Sequence, residues 1–202
     1  MRRFAYLMVS ALVLVSLAVP AAQAITESKT GVEYPDVLTV GCNGEQVELV
    51  ATGAGLREKT ILKVDVYTIA SYMAKGSDLG ADKGAGLVAL KAPKQLQMNL
   101  RRSFSREKLI NAFVEVIEKN YADTSPFKAE MAMFESYFTR DAQDGDVIIF
   151  DYCPKSGLTV MLNGEISGII EKPAFAEALW SVWFGAKPAS DGLKADLLKA
   201  LN

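Results

Sequence analysis

One run of alternating side chains constrains this chain more than any other feature. In Gly53–Met73, GAGLREKTILKVDVYTIASYM, the side chains of Leu62, Val64, Val66, Thr68, Ala70 and Tyr72 fall on one side, and Lys63 and Asp65 on the other. A period of two marks an extended strand, whose successive side chains point to opposite faces. The even-numbered side is mostly apolar and is expected to meet the core. The odd-numbered side begins polar and becomes mixed at Tyr67 and Ile69, as the rim of a cleft would. The stretch opens on Gly53-Ala54-Gly55, read as a turn, and presents Arg57 ahead of the strand. In one straight strand Arg57 and Tyr67 would lie about 33 Å apart, at roughly 3.3 Å per residue. They share a site only if the chain doubles back between them.

The flanking chain supplies more strands and a set of helices. Val37–Val40 and Gln46–Ala51 read as a hairpin around Cys42-Asn43-Gly44, and residues 25–36, largely polar, as a flexible lead-in. Residues 76–93, rich in glycine, read as a loop around a short strand at Leu87–Leu90. Lys94–Arg102 alternates strictly, with Leu96, Met98 and Leu100 on its apolar side. Ser105 caps a helix reaching about Tyr121, and Ser125-Pro126 opens a second that buries Phe127, Met131, Phe134 and Phe138. Val147–Tyr152, Leu158–Leu162 and Ile166–Ile170 form three antiparallel strands, the last pair joined by Asn163-Gly164, a dipeptide suited to the positive φ of a tight hairpin turn. A helix over Pro173–Phe184 carries Trp180 and Trp183 and is closed by Gly185, and Ser190 caps a terminal helix with Leu193, Leu197 and Leu198. Two consecutive helices set between strands predict an α+β fold rather than a parallel βαβ sheet.

Composition removes several function classes. Half of the 202 residues are hydrophobic, enough for one domain with a sizeable core. Residues 1–24 read as a signal peptide: Arg2-Arg3, an uncharged apolar run over Phe4–Val19, and the small-x-small site Ala22-Gln23-Ala24. Its removal would leave residues 25–202 as an exported, periplasmic or secreted domain with no membrane span, expected as a monomer. The leader holds two of the 22 basic and none of the 24 acidic residues, so the mature chain has 20 against 24, a net −4. That charge, without a basic run, argues against nucleic acid and anionic lipid as partners. Histidine is absent, which excludes Ser-His and Cys-His nucleophiles, and the two cysteines lack metal-type spacing, so neither metal nor cofactor is expected. Cys42 and Cys153 are either bridged or separately buried thiols.

Several motifs recur together in one order: Gly-Ala-Gly-x-Arg57, Val66-Tyr67 with Tyr72, Gly145-Asp146, Asn163-Gly164-x-x-x-Gly168, and Trp183-Phe184-Gly185-x-x-Pro188. In this the chain resembles the bacterial chalcone isomerase-like proteins over nearly its whole mature length. The resemblance implies an open-faced β-sandwich, a long antiparallel sheet covered by a layer of helices. It also places the chain among cofactor-free plant isomerases that close a flavanone ring and relatives that bind fatty acids without catalysis. Arg57 falls on the family's cleft arginine, and Tyr67 or Thr68 falls near its carbonyl-polarising hydroxyl. The plant tyrosine and asparagine have no counterpart around Phe104–Phe113, where Glu107 and Lys108 stand, and the later hydroxyl falls near Ala176.

The residues alone read Arg57 as a surface arginine in a turn; with the resemblance, a physical case for a ligand anchor stands beside that reading. A guanidinium at the mouth of an apolar cleft holds a carboxylate or phenolate through two parallel hydrogen bonds, and a nearby phenol adds a third donor. Arg57, Tyr67, Thr68 and Ile69 are therefore the candidate ligand-binding residues for a small amphipathic organic ligand, fatty acid-like or phenolic. The bland alternative is a surface arginine in a turn. Three functions are carried forward: a non-catalytic binding protein, a cofactor-free isomerase or intramolecular lyase in which Arg57 stabilises an oxyanion, and an interaction module of the cell envelope.

Overall fold

The computed structural model describes residues 23–59 and 64–201, so the expected leader lies, but for its last two residues, outside the described residues. Seven strands form an antiparallel meander in which each pairs with the next: β3 (Val37–Cys42), β4 (Glu45–Lys59), β5 (Val64–Ala74), β6 (Lys94–Leu100), β7 (Val147–Cys153), β8 (Gly157–Leu162) and β9 (Glu165–Ile170). Five helices accompany them: α1 (Lys83–Ala89), α2 (Arg106–Asn120), α3 (Lys128–Ser136), α4 (Pro173–Phe184) and α5 (Asp191–Leu197). A separate ribbon, β1 (Ala24–Thr26) with β2 (Glu33–Pro35), completes the α+β architecture. Asn163 and Gly164 both have positive φ, 53° and 84°, as the hairpin between β8 and β9 requires.

The helices bury one face of the sheet in a large core. Phe113, Phe134, Phe138, Phe150, Phe175 and Trp183 meet there edge to face, tilted or, for Phe113 with Phe138, stacked, with centroids 5.2–6.4 Å apart. On the opposite face Tyr34 of the ribbon packs with Leu49, Ala70, Tyr72 and Ala74 in a smaller cluster. β5 is thus sandwiched between two apolar layers. This corrects the expected orientation: Ile69 and Met73, at odd positions, enter the main core, and Thr68, Ala70 and Tyr72 meet the ribbon. Alternation cannot tell core from solvent when both faces are covered. Leu62 and Lys63 lie outside the described residues.

Most other departures come from tertiary packing around small residues. Gly53 and Gly55 do not form a turn but sit within the 15-residue β4, where a Cβ would come 2.2 Å from the Asp196 carbonyl oxygen and 2.7 Å from Leu193 Cδ1. Their bare backbone lets α5 lie on the strand, and Thr52 Oγ1 donates to the Leu197 carbonyl there at 2.8 Å. The strand expected at 87–90 is replaced by α1, capped by Asp82, whose Oδ1 accepts from Ala85 N at 2.9 Å. At Gly86 a Cβ would lie 2.1 Å from the Leu79 carbonyl oxygen, so glycine serves helix docking. The lead-in is ordered because Tyr34 is buried and the Glu27 carboxylate closes a turn, accepting from Lys29 N, Thr30 N and Thr30 Oγ1. Gly185 ends α4 with a negative φ of −64°, and its missing side chain makes room for Asn120.

Cys42 and Cys153 form a disulfide with Cα atoms 5.6 Å apart. It joins the end of β3 to the end of β7, with β4, β5 and β6 between them in the sheet order, so the sheet curls to bring them together. Asn43 Nδ2 donates to the Pro154 carbonyl at 2.7 Å beside it.

Candidate ligand-binding site

Antiparallel pairing of β4 with β5 sets Arg57 directly opposite Tyr67, with a register shift immediately after at Glu58. Directly opposed residues share a face, with Cβ atoms about 4.5–5.5 Å apart. The chain does double back, and the connecting residues 60–63 lie outside the described residues. Arg57 is half-buried and donates from Nη1 to the Glu58 carbonyl. The Glu58 carboxylate is taken instead by Lys29. Arg57 therefore has no carboxylate partner among the described residues.

Tyr67 lies at the margin of the main core, and its hydroxyl accepts a 3.0 Å hydrogen bond from Trp183 Nε1 of α4. Burial pushes the phenol up to about 12, against the opposing pull of Trp183 and of the Arg57 charge. It is protonated throughout the physiological range. Leu193 of α5, packed over Gly55, closes the neighbouring side of β4. The anchor thus stands where the end of a hairpin meets two helices.

The other two candidate residues lie apart from this pair. Ile69 shares the face of Tyr67 but is fully enclosed, part of the floor rather than of a surface open to a ligand. Thr68 points to the opposite face, where its hydroxyl shares a 2.7 Å hydrogen bond with Tyr34. Trp183 is not among the site residues that the sequence suggests. It lies 116 residues from Tyr67, and no local pattern signals their meeting.

Other chemically unusual groups serve the fold. Asp146 accepts both nitrogens of Arg140 at 2.8 and 3.0 Å, Asn163 Nδ2 at 2.8 Å and Gln143 N at 2.8 Å, which holds its carboxyl down at about 2. That network ties the loop before β7 to the β8–β9 turn. Lys94 is wholly buried beneath α1 and α4: its Nζ donates to the Leu87 and Val88 carbonyls at 2.8 and 3.0 Å and faces the Trp180 and Tyr152 rings. A surface depression of about 410 Å³ lies beside Tyr137, Arg140 and Asn163, away from Arg57 and Tyr67. Among the described residues no group of three Asp, Glu or Cys side chains is placed to hold a metal, and no helix is long and apolar enough to cross a membrane.

With this geometry in view, comparison with known proteins gives one sequence family and one fold. A family model described as chalcone isomerase-like matches residues 26–199. The structure is similar to the crystal structure of an Arabidopsis thaliana fatty-acid binding protein, with a TM-score of 0.68 and 17% identity over 89% of this chain and 100% of that one. At that identity the likeness is one of fold. Comparison with curated proteins found no match.

Proposed function

The chain belongs to the chalcone isomerase-like family, and on that premise we propose that it is an exported, non-catalytic binding protein for a small amphipathic acid, fatty acid-like or phenolic, anchored by Arg57. The carrying observation is the Arg57–Tyr67 pair: a guanidinium free of any described carboxylate, set opposite a protonated phenol at the edge of an apolar core. Such a pair suits an anionic head group whose tail lies against apolar side chains. The fatty-acid binding activity of the similar Arabidopsis protein supports this reading. The Cys42–Cys153 bridge supports export, because disulfides persist in oxidising compartments. Turnover is the weaker reading. Arg57 is donor-only and Tyr67 stays protonated, so neither offers a base near neutral pH.

Two measurements test the proposal. Native mass spectrometry of the mature protein from its own compartment is expected to reveal a co-purifying acid. Titration with decanoate is expected to give saturable binding that Arg57→Ala weakens about ten- to a hundredfold, the equivalent of ~1.5–3 kcal/mol for a charged hydrogen bond. Unchanged affinity in a folded Arg57→Ala protein would sink the reading.

A further inference from the structure

We infer that Trp183 is a positioning residue for the anchor, fixing the Tyr67 hydroxyl as a hydrogen-bond donor and so making the site selective for a carboxylate over an alcohol. The inference rests on the binding reading above. An indole nitrogen can only donate, so the 3.0 Å contact assigns its own direction: Trp183 Nε1 gives and the Tyr67 oxygen receives. The phenol hydrogen must then point elsewhere. Trp183 is the only described partner of that hydroxyl, and Arg57, the side chain opposite, has no lone pair to offer.

The two side chains of the anchor therefore offer donors alone, and the Glu58 carbonyl beside them is already taken by Arg57 Nη1. A hydroxyl that already accepts a hydrogen bond is polarised and becomes a better donor. A carboxylate, with two oxygens and only lone pairs, satisfies Arg57 and Tyr67 together. An alcohol brings a hydrogen with nowhere to go, and leaving it unpaired in a desolvated site carries a penalty. Trp183 can hold this direction because it is itself immobile. It is 1% exposed, on a helix whose buried face runs from Phe175 to Phe184, and it packs against Phe113 and Phe150 at 5.9 Å. The residue touches no ligand in this scheme and acts through Tyr67.

The test compares decanoate with 1-decanol binding to the mature protein, as wild type and as Trp183→Phe, which keeps an aromatic ring and removes the N–H. The variant is expected to bind decanoate about tenfold more weakly and 1-decanol within about twofold of wild type, so that the preference for the carboxylate shrinks about tenfold. A preference equal to wild type, or an equal loss of both ligands, overturns the inference, since a purely structural role would weaken both together. If Trp183→Phe does not fold, Tyr67→Phe takes its place and should lose the preference to the same extent; a retained preference there also overturns the inference. The binding reading fails separately, taking this inference with it, if wild type binds neither ligand or if Arg57→Ala leaves decanoate affinity unchanged.

Discussion

Lys94 makes a prediction whose sign and size both follow from its surroundings. Burial under α1 and α4, with Lys91 adding like-charge repulsion, pulls its amine down to about 7 from an ordinary 10.5. Between those values the unfolded chain holds a proton that the folded chain has released. Stability must therefore rise with pH across the window from about 7 to 10.5, and the penalty is fully present below 7. At 1.36 kcal/mol per unit the whole shift is worth about 5 kcal/mol, of which about 2 kcal/mol is recovered between pH 7 and 9. Other shifted side chains fall outside that interval: histidine is absent, Asp151, raised to about 6 by burial, titrates below it, and the folded Tyr34 and Tyr67 phenols titrate near 12; the α-amino group is common to wild type and variant.

The assay is urea unfolding of wild type and Lys94→Met at pH 7, 8 and 9. Wild type is expected to gain about 2 kcal/mol over this range and the variant to stay flat. The slope is a better readout than the absolute change. Methionine also removes the donors to the Leu87 and Val88 carbonyls at the end of α1, and that loss, about 1 kcal/mol per bond, is the same at every pH. Equal slopes in the two proteins would refute the argument and mean that the carbonyls and aromatic faces hold Lys94 charged.

Three further perturbations test other parts of the fold. Replacing Cys42 and Cys153 by serine opens a loop with a sequence separation of 111 and is expected to cost about 4–5 kcal/mol in urea unfolding; a change under about 1 kcal/mol would show that the hairpins are held without the bridge. Gly168→Ala would put a Cβ 2.2 Å from the Tyr137 ring and break the 2.8 Å bond from the Tyr137 hydroxyl to the Ile169 carbonyl, a loss of about 1–3 kcal/mol that should largely disappear in a Tyr137→Ala background. The Asp146 carboxyl, held near 2 first by Arg140, stabilises the fold above its ordinary pKa and loses that contribution as pH falls from about 4 to 2; acid titration of stability should show about 1–2 kcal/mol there that Asp146→Asn lacks, allowing for the exposed Arg140 partner.

The elements legible from sequence were those with strong local signals. Ser105 as a cap, proline at the start of α4, and Asn163-Gly164 each act through bonds within a few residues, and each stands where the pattern put it. Glycine misled the reading wherever its purpose was distant. Gly53, Gly55, Gly84 and Gly86 looked like loop punctuation, yet they accommodate Asp196, Leu193, Lys194 and Leu79, partners that only the folded chain supplies. The same holds for Lys94, the first residue of an alternating strand in the sequence, which caps α1 from inside the core. A single chain carries no mark that separates these cases, because propensity is local and close approach is not.

The candidate site divides along the same line. Arg57 and Tyr67 sit on neighbouring strands of one hairpin, so their pairing needs only a turn between them, and register does the rest. Thr68 is the next residue along the same strand, and the two-residue period sends it to the ribbon whatever its chemistry. Trp183 enters from a helix that follows all seven strands of the sheet, through a contact that depends on the whole sheet being assembled. The position of the anchor is therefore a local property of the β4–β5 hairpin, whereas the sense of its hydrogen bonding is a tertiary one. A variant that loosens α4 without touching Arg57 or Tyr67 should accordingly keep an acid-binding site and lose its ability to tell an acid from an alcohol.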